Sequence, residues 1–161
     1  MKLRRRWLFA LGVYSLSCPS LSFSLPKNPS VVSGEAVFTE TSRGSMEISP
    51  SDHAIIEYTS FDIGFQETVR FHQSSSSSKV LNRVRSARPS DIFGRPESNG
   101  SVFLVNQSGM YFSETSQVNV GSFIASTLDI SNDNFASENY QFTLGDPGGK
   151  IINDGLLESS L

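Results

Sequence analysis

Short apolar runs recur along most of this chain, and their length limits the structures that it can form. Each run has three to five residues, as in Ala54-Ile55-Ile56, Val69-Arg70-Phe71 and Met110-Tyr111-Phe112, and Gly, Ser, Asn and Pro lie between the runs. Several runs alternate between apolar and polar residues, and no apolar stripe of helical period continues past one turn. Val, Ile, Phe, Thr and Tyr suit a pleated, half-buried surface. We therefore predict an all-β chain, in which only residues 132–139 could form a turn of helix.

Strands this short, at spacings of about 8–12 residues, fit a sandwich, a barrel or a β-solenoid. Runs that end in Asn and Gly, such as 105–109, 118–121 and 152–155, favour the solenoid, because Asn side chains can hydrogen-bond to the backbone at its corners. The pairs that mark two-residue hairpins occur only at Asn99-Gly100 and Asp154-Gly155. No internal repeat of fixed period is evident, although a solenoid is expected to have one. The pattern therefore favours the solenoid only slightly.

The first 24 residues have the composition of a secretory signal peptide. Met1 to Arg6 carries four cations, and residues 7–16 are mostly apolar over the length of a signal-peptide core. This stretch is shorter than the roughly 20 apolar residues that span a bilayer. Ser22 and Ser24 provide small residues at positions −3 and −1, so we predict export by the general Sec machinery and cleavage after Ser24. An uncleaved membrane anchor is the alternative.

Removal of this presequence changes the charge of the chain. The full sequence has 13 Lys and Arg against 16 Asp and Glu, and four of the cations lie in the presequence, so the mature chain has nine cations and a net charge of −7. Such a surface has no basic stripe for nucleic acid, and no nucleic-acid partner is predicted. The only Cys and the only Trp leave as well. The mature chain therefore cannot form a disulfide.

Seven motifs occur in a fixed order between about Val31 and Leu156. They are HAIIEYTSFDIG at 53–64, ETVRFHQ at 67–73, VLNRV at 80–84, IFG at 92–94, SNGSVFLVN at 98–106, VNVG at 118–121 and ASTLDIS at 125–131. Together they resemble the filamentous haemagglutinin N-terminal domain, which is the secretion domain of two-partner (TPS, type Vb) exoproteins of the TpsA type in Gram-negative bacteria. A resemblance over many motifs in the same order is specific to a family, whereas a resemblance in a single motif would not be.

The resemblance implies a right-handed parallel β-helix with an N-terminal cap and small extra-helical β-elements. It implies a secretion-targeting function, in which the POTRA domains of an outer-membrane, Omp85-type (TpsB) transporter recognise the chain in the periplasm. The exoprotein then crosses unfolded and folds outside, where this domain nucleates the β-helix. We expect residues 25–161 to form this domain and to be truncated at the C-terminus. The location would be secreted or cell-surface, and a downstream region could contact host or bacterial cells.

The family resemblance also identifies candidate site residues. Asn106, Gln107, Ser108 and Gly109 stand where the family commonly has Asn-Pro-Asn-Gly. Asn at the first position and Gly at the fourth suit a type I turn. We interpret the segment as a turn that aims two buried strands, with direct recognition by the transporter as the alternative. The resemblance assigns structural roles to Asn82, Arg83, Asn99, Gly100, Asn119, Ser126, Thr127 and Asp129.

Two other function classes must be weighed, because β-helices also house polysaccharide-degrading enzymes and glycan-binding adhesins. A catalytic carboxylate pair needs two acids side by side, whereas Asp52, Glu57 and Glu67 are scattered and are interpreted as solvated surface charges. His53 and His72 are the only histidines and have no HExxH arrangement, so no zinc site is predicted. We predict no enzymatic activity and no cofactor, and an adhesin module is the main alternative.

Overall fold

The structure is a computed structural model that describes residues 24–41, 44–145 and 148–159. The signal peptide predicted for residues 1–24 lies outside the described residues, apart from Ser24. In the described part of the chain, no helix is long and apolar enough to cross a membrane.

The described residues form 16 short strands and one helix of five residues. The strands of the first half are β1 (Ser30–Ser33), β2 (Ala36–Thr41), β3 (Ser45–Pro50), β4 (Ala54–Tyr58), β5 (Thr68–Phe71), β6 (Lys79–Val84), β7 (Ser90–Ile92) and β8 (Arg95–Ser98). The second half contains β9 (Ser101–Asn106), β10 (Met110–Phe112), β11 (Gln117–Val120), β12 (Ser122–Ser126), β13 (Asp129–Ile130), α1 (Asn132–Ala136), β14 (Phe142–Thr143), β15 (Ile151–Asn153) and β16 (Leu156–Ser159).

From β3 to β12, consecutive strands lie in different sheets, and corresponding strands stack in parallel. The three large sheets have the orders β16-β11-β8-β5-β3-β2, β1-β4-β6-β9-β12 and β15-β10-β7. Strands β5, β6 and β7 form one coil, and β8, β9 and β10 form the next coil in parallel register with it. With β3 and β4 on one side, and β11, β12 and β15 on the other, the chain is a β-solenoid of about four stacked coils. The all-β, β-helical prediction is confirmed.

The coils have unequal lengths, which explains why the sequence has no fixed repeat. Ser45 pairs with Thr68 and Thr68 with Arg95, so the offsets are 23 and 27 residues. Gln117 pairs with Leu156, at an offset of 39 residues, because the chain leaves the solenoid after β12 and returns at β15. Asn99-Gly100 and Asp154-Gly155 are corners between sheets and not hairpin turns.

Two antiparallel strands cover the N-terminal end of the solenoid. Strand β2 pairs with β3 over six residues, and β1 pairs with β4. Ala36 and Phe38 of β2 pack against the core from this side. The cap therefore gives the first coil hydrogen-bonding partners on the edge that would otherwise be open, which is how native sheets avoid edge-to-edge association.

The segment that leaves the solenoid covers the outer face of the sheet that contains β4, β6 and β9. Val80 and Val84 of β6 belong to the inner core, whereas Leu81 belongs to a second buried cluster with Phe103 and Phe135. Phe135 of α1 is fully buried, and its ring meets that of Phe103 edge-on at 5.2 Å. Both faces of these strands are therefore buried, which explains the continuous apolar run at 102–105. We call residues 129–145 and 148–150 the extruded segment.

Candidate functional sites at the Asn106 turn and around Arg83

Asn106, the last residue of β9, is fully buried and organises the turn that follows. Its backbone oxygen accepts a hydrogen bond from Gly109 N at 3.0 Å, and its side-chain Oδ1 accepts one from Ser108 N at 3.0 Å. Its Nδ2 donates to Ser90 Oγ at 3.0 Å and to Arg88 O at 3.2 Å. One side chain thus closes its own turn and joins it to the preceding coil.

The rest of the turn is also tied to neighbouring coils. Gly109 has a φ of +112°, in the region that favours glycine, and its oxygen accepts from Ser90 N at 3.1 Å. The hydroxyl of Ser108 donates to Ser86 O at 2.7 Å. On the other side, Met110 N donates to Lys150 O at 2.9 Å. The turn is therefore an integral joint between three successive passes of the chain.

The end of the extruded segment lies over this turn. A Cβ atom on Gly149 would overlap Gln107 O and approach Gly109 N to 2.6 Å, so only glycine permits this close approach. Asn106 and Gly109 are buried, whereas Gln107 and Ser108 are half-buried. These two residues border an open cavity of about 500 Å³, whose other lining residues are Val84, Arg85, Ser86, Ala87, Gly148 and Gly149.

Arg83 forms the second polar centre, on the outer face of β6 and beneath the extruded segment. Its side chain is buried, and its Nε donates to Asp129 Oδ1 at 2.8 Å. Its Nη1 donates to Glu57 Oε1 at 3.1 Å and to Asn132 Oδ1 at 3.0 Å, and its Nη2 donates to the backbone oxygen of Ile130. This guanidinium thus fastens β13 and the start of α1 to the solenoid.

Glu57 is an ion-pair partner, and its interpretation as a solvated charge was wrong. Its Oε1 accepts from Arg85 at 2.8 Å as well as from Arg83, and Arg85 also reaches Asp129 at 3.3 Å. Burial raises the pKa of Glu57, but the hydrogen bonds from Arg85 and Arg83 outweigh it and hold the pKa below its usual range. The sequence order of these residues gave no sign of the pairing, because Glu57 and Arg83 lie on adjacent coils.

Glu67 is also not a surface charge, and the prediction for it was wrong. Its side chain is buried, with 4% of the residue exposed. Gly64 to Glu67 forms a tight turn, closed by the bond from Glu67 N to Gly64 O at 2.9 Å, and this turn folds the carboxylate back over its own backbone. Oε2 accepts from Gly64 N at 2.6 Å.

Asn82 lies inside the solenoid and is fully buried. Its Oδ1 accepts from the hydroxyl of Tyr58 at 3.1 Å, and its Nδ2 donates to Phe103 O at 3.3 Å. Tyr58 packs edge-on against Phe61 at 5.1 Å. Burial raises the pKa of the Tyr58 hydroxyl, so this group remains a hydrogen-bond donor. The hydroxyl of Tyr58 is therefore hydrogen-bonded within an otherwise apolar core.

Asn99, Gly100 and Asn119 lie near one corner of the solenoid. The amide group of Asn99 accepts from Gln73 N and donates to Gln73 O, both at 2.8 Å, and thus imitates a backbone pair. A Cβ atom on Gly100 would lie 2.7 Å from Ser78 O, so the corner requires glycine. Asn119 is exposed on the outer face of β11.

Ser126 and Thr127 lie where the chain enters the extruded segment. The hydroxyl of Ser126 accepts from Leu128 N and donates to Leu128 O, both at 2.9 Å. Thr127 is half-buried in the same bend. Together with Asp129, these residues direct the chain out of β12 towards Arg83. Their roles in function stay predictions.

Three carboxylates that join neighbouring segments have lowered pKa values. In Glu47 burial raises the pKa, but the hydrogen bond from His72 and the other interactions outweigh it, as the arginines do in Glu57. The hydrogen bond from Lys79 lowers the pKa of Glu138. A group whose pKa is lowered on folding stabilises the fold above its unfolded pKa and ceases to do so as the pH falls.

We therefore expect the melting temperature to fall as the pH decreases from about 4.5, near the ordinary pKa of Glu. Thermal unfolding followed by circular dichroism between pH 7 and pH 3 measures this dependence. Glu57→Gln should show a smaller fall than the parent chain. A melting temperature that stays constant from pH 5 to pH 3 would contradict the assignment.

The fold and these sites define a capped β-solenoid that carries an extruded segment held by buried polar side chains. A sequence profile of the TPS secretion domain matches residues 25–160, and the chain belongs to this family. It is a secretion-targeting domain of two-partner secretion.

Two similar proteins and one similar solved structure come from Haemophilus influenzae. The chain is 30% identical over 158 residues to a heme/hemopexin-binding protein, covering 92% of this chain and 17% of that protein, and 29% identical over 150 residues to its counterpart in strain Rd. The crystal structure of the HMW1 secretion domain superposes with a TM-score of 0.79 at 36% identity, covering 82% of this chain and 36% of that one. The chain thus spans less than a fifth of the length of the heme/hemopexin-binding proteins.

Proposed function

We propose that residues 25–161 are recognised in the periplasm by the POTRA domains of an outer-membrane, Omp85-type (TpsB) transporter. The observation that carries this proposal is the family match over residues 25–160, together with the structural likeness to a secretion domain. In this scheme the Sec machinery exports the chain and the signal peptide is removed after Ser24. The location of the family match, which begins at residue 25, supports this boundary. The exoprotein is then secreted or displayed on the cell surface.

In the second part of the proposal, this domain acts as a nucleus for β-helix formation. Ile151 and Leu157 are in register with Met110 and Val118, which are 1% exposed, yet they are themselves 43% and 45% exposed. A further coil stacked on β15 and β16 would bury these side chains and satisfy the free strand edges. Growth from a formed end is favourable because a single rung cannot bury both of its faces.

Co-expression with a two-partner secretion transporter tests the first part. The chain should appear in the medium when the transporter is complete and stay in the periplasm when the POTRA domains are deleted. A chain without residues 1–24 should stay in the cytoplasm and provides the control for export. Equal amounts in the medium with the complete and the POTRA-deleted transporter would contradict the proposal.

Neither the glycan-binding adhesin nor the polysaccharide-degrading enzyme is favoured by a specific observation. The carboxylate of Glu57 is engaged by Arg83 and Arg85, and that of Glu67 by backbone amides. Saturable binding of this chain to a glycan array would support the adhesin.

A further inference from the structure

Glu67 contacts the chain at the boundary between the predicted signal peptide and the mature domain. Its Oε1 accepts a hydrogen bond from Ser24 N at 2.7 Å, and the two residues are 43 positions apart. Leu25, the next residue, is 6% exposed and belongs to the inner core. A buried carboxylate thus faces the backbone where the mature chain is proposed to begin.

The charge at this point depends on processing. In the precursor the nitrogen that faces Glu67 is the neutral amide of Ser24. Cleavage after Ser24 removes this donor, and the nitrogen of Leu25, one residue farther along the chain, becomes an α-ammonium, which is protonated at neutral pH. Burial of a carboxylate costs free energy unless an opposite charge compensates it. Hydrogen bonds between charged partners are roughly twice as strong as neutral ones. We propose that Glu67 is a binding site for the α-ammonium of the processed chain.

The first residues of the mature chain are fixed to the solenoid, so the new ammonium cannot move far from the boundary that Glu67 contacts. The side chain of Leu25 is fixed in the core, and Lys27 N donates to Ser60 O at 2.9 Å. Thr59 N donates in return to Lys27 O at 3.1 Å. Removal of the signal peptide therefore takes the Ser24 donor from a buried carboxylate and places a positive charge at the next residue. The processed chain is more stable than the precursor for this reason, and the proposal rests on the proposed cleavage after Ser24.

The test compares two exported chains, each expressed from its full-length precursor, whose N-termini are identified by mass spectrometry. One is the natural chain, and the other has Gly-Ser inserted between Ser24 and Leu25. When this precursor is also cleaved after Ser24, the inserted Ser presents a neutral N–H where Ser24 N lies. The ammonium then belongs to the inserted Gly, two residues before Leu25. We expect the natural form to melt at a higher temperature. Its α-amine should react with an isocyanate at neutral pH about tenfold more slowly, since a nearby opposite charge raises an amine pKa by one unit or more.

Glu67→Gln supplies the matched control. In this background the natural and inserted forms should have equal melting temperatures and equal amine reactivity. If Glu67→Gln does not fold, the amine reactivity of the natural and inserted forms that retain Glu67 tests the proposal. Equal reactivity in those two forms, or a difference that persists in Glu67→Gln, would overturn the proposal. An exported chain that retains Met1 would overturn the cleavage as well, whereas a chain processed at Leu25 with no dependence on Glu67 would overturn this inference alone.

Discussion

Replacement of Arg83 by Ala is expected to lower the free energy of unfolding by about 3–5 kcal/mol, as is typical when one partner of a buried ion pair is removed. The substitution leaves Glu57 and Asp129 without their buried counter-charge, and it leaves the backbone oxygen of Ile130 without its donor. It also removes the donor to the side-chain oxygen of Asn132. Because Asp129, Ile130 and Asn132 all lie in the extruded segment, this segment should detach first.

Arg85→Ala is the matched control for this prediction. Arg85 binds the same two carboxylates, Glu57 and Asp129, but its side chain is 51% exposed. An exposed pair contributes about 1 kcal/mol or less. Urea unfolding of both variants, followed by fluorescence and by circular dichroism, measures the difference. If Arg83→Ala costs no more than Arg85→Ala, the buried network does not hold the extruded segment.

The sequence predicted the strands of this fold better than their connections. Short apolar runs indicated an all-β chain, and the ordered motifs identified the solenoid. The unequal coils could not be predicted, since the offsets depend on how many residues each corner holds. The continuous apolar run at 102–105 is buried on both faces, and no pattern in the sequence identifies the partner of its outer face. That partner is Phe135, which lies in the extruded segment and packs on Phe103.

The candidate site was predictable to the extent that it is local. The spacing of Asn106 and Gly109 indicated a turn, and the hydrogen bond between them closes one. The contacts of Asn106 with Ser90 and of Met110 with Lys150 join residues far apart in the sequence, and no local pattern marks them. Glu67 was misjudged for the same reason, because its carboxylate contacts Ser24, which is 43 positions away in the sequence.

Asn106→Ala should lower the free energy of unfolding by about 2–4 kcal/mol, because a fully buried side chain loses three hydrogen bonds and each contributes about 0.5–1.5 kcal/mol. The affected groups are Ser108 N, Ser90 Oγ and Arg88 O. The loss lies in a joint between coils, so it should reduce the stability of the whole solenoid and not only of the turn. Chemical unfolding of the purified variant measures it.

Gln107→Ala separates this structural effect from recognition by the transporter. Gln107 belongs to the same turn but is half-buried at the rim of the cavity, so its truncation should change stability by less than about 1 kcal/mol. We expect the secreted yield of Asn106→Ala to fall together with its stability, and Gln107→Ala to keep both. A stable Gln107→Ala chain that is no longer secreted would instead mean that the transporter contacts the exposed rim of the turn. Normal stability and secretion of Asn106→Ala would contradict the structural role of the turn, because the fully buried Asn106 acts through its hydrogen bonds.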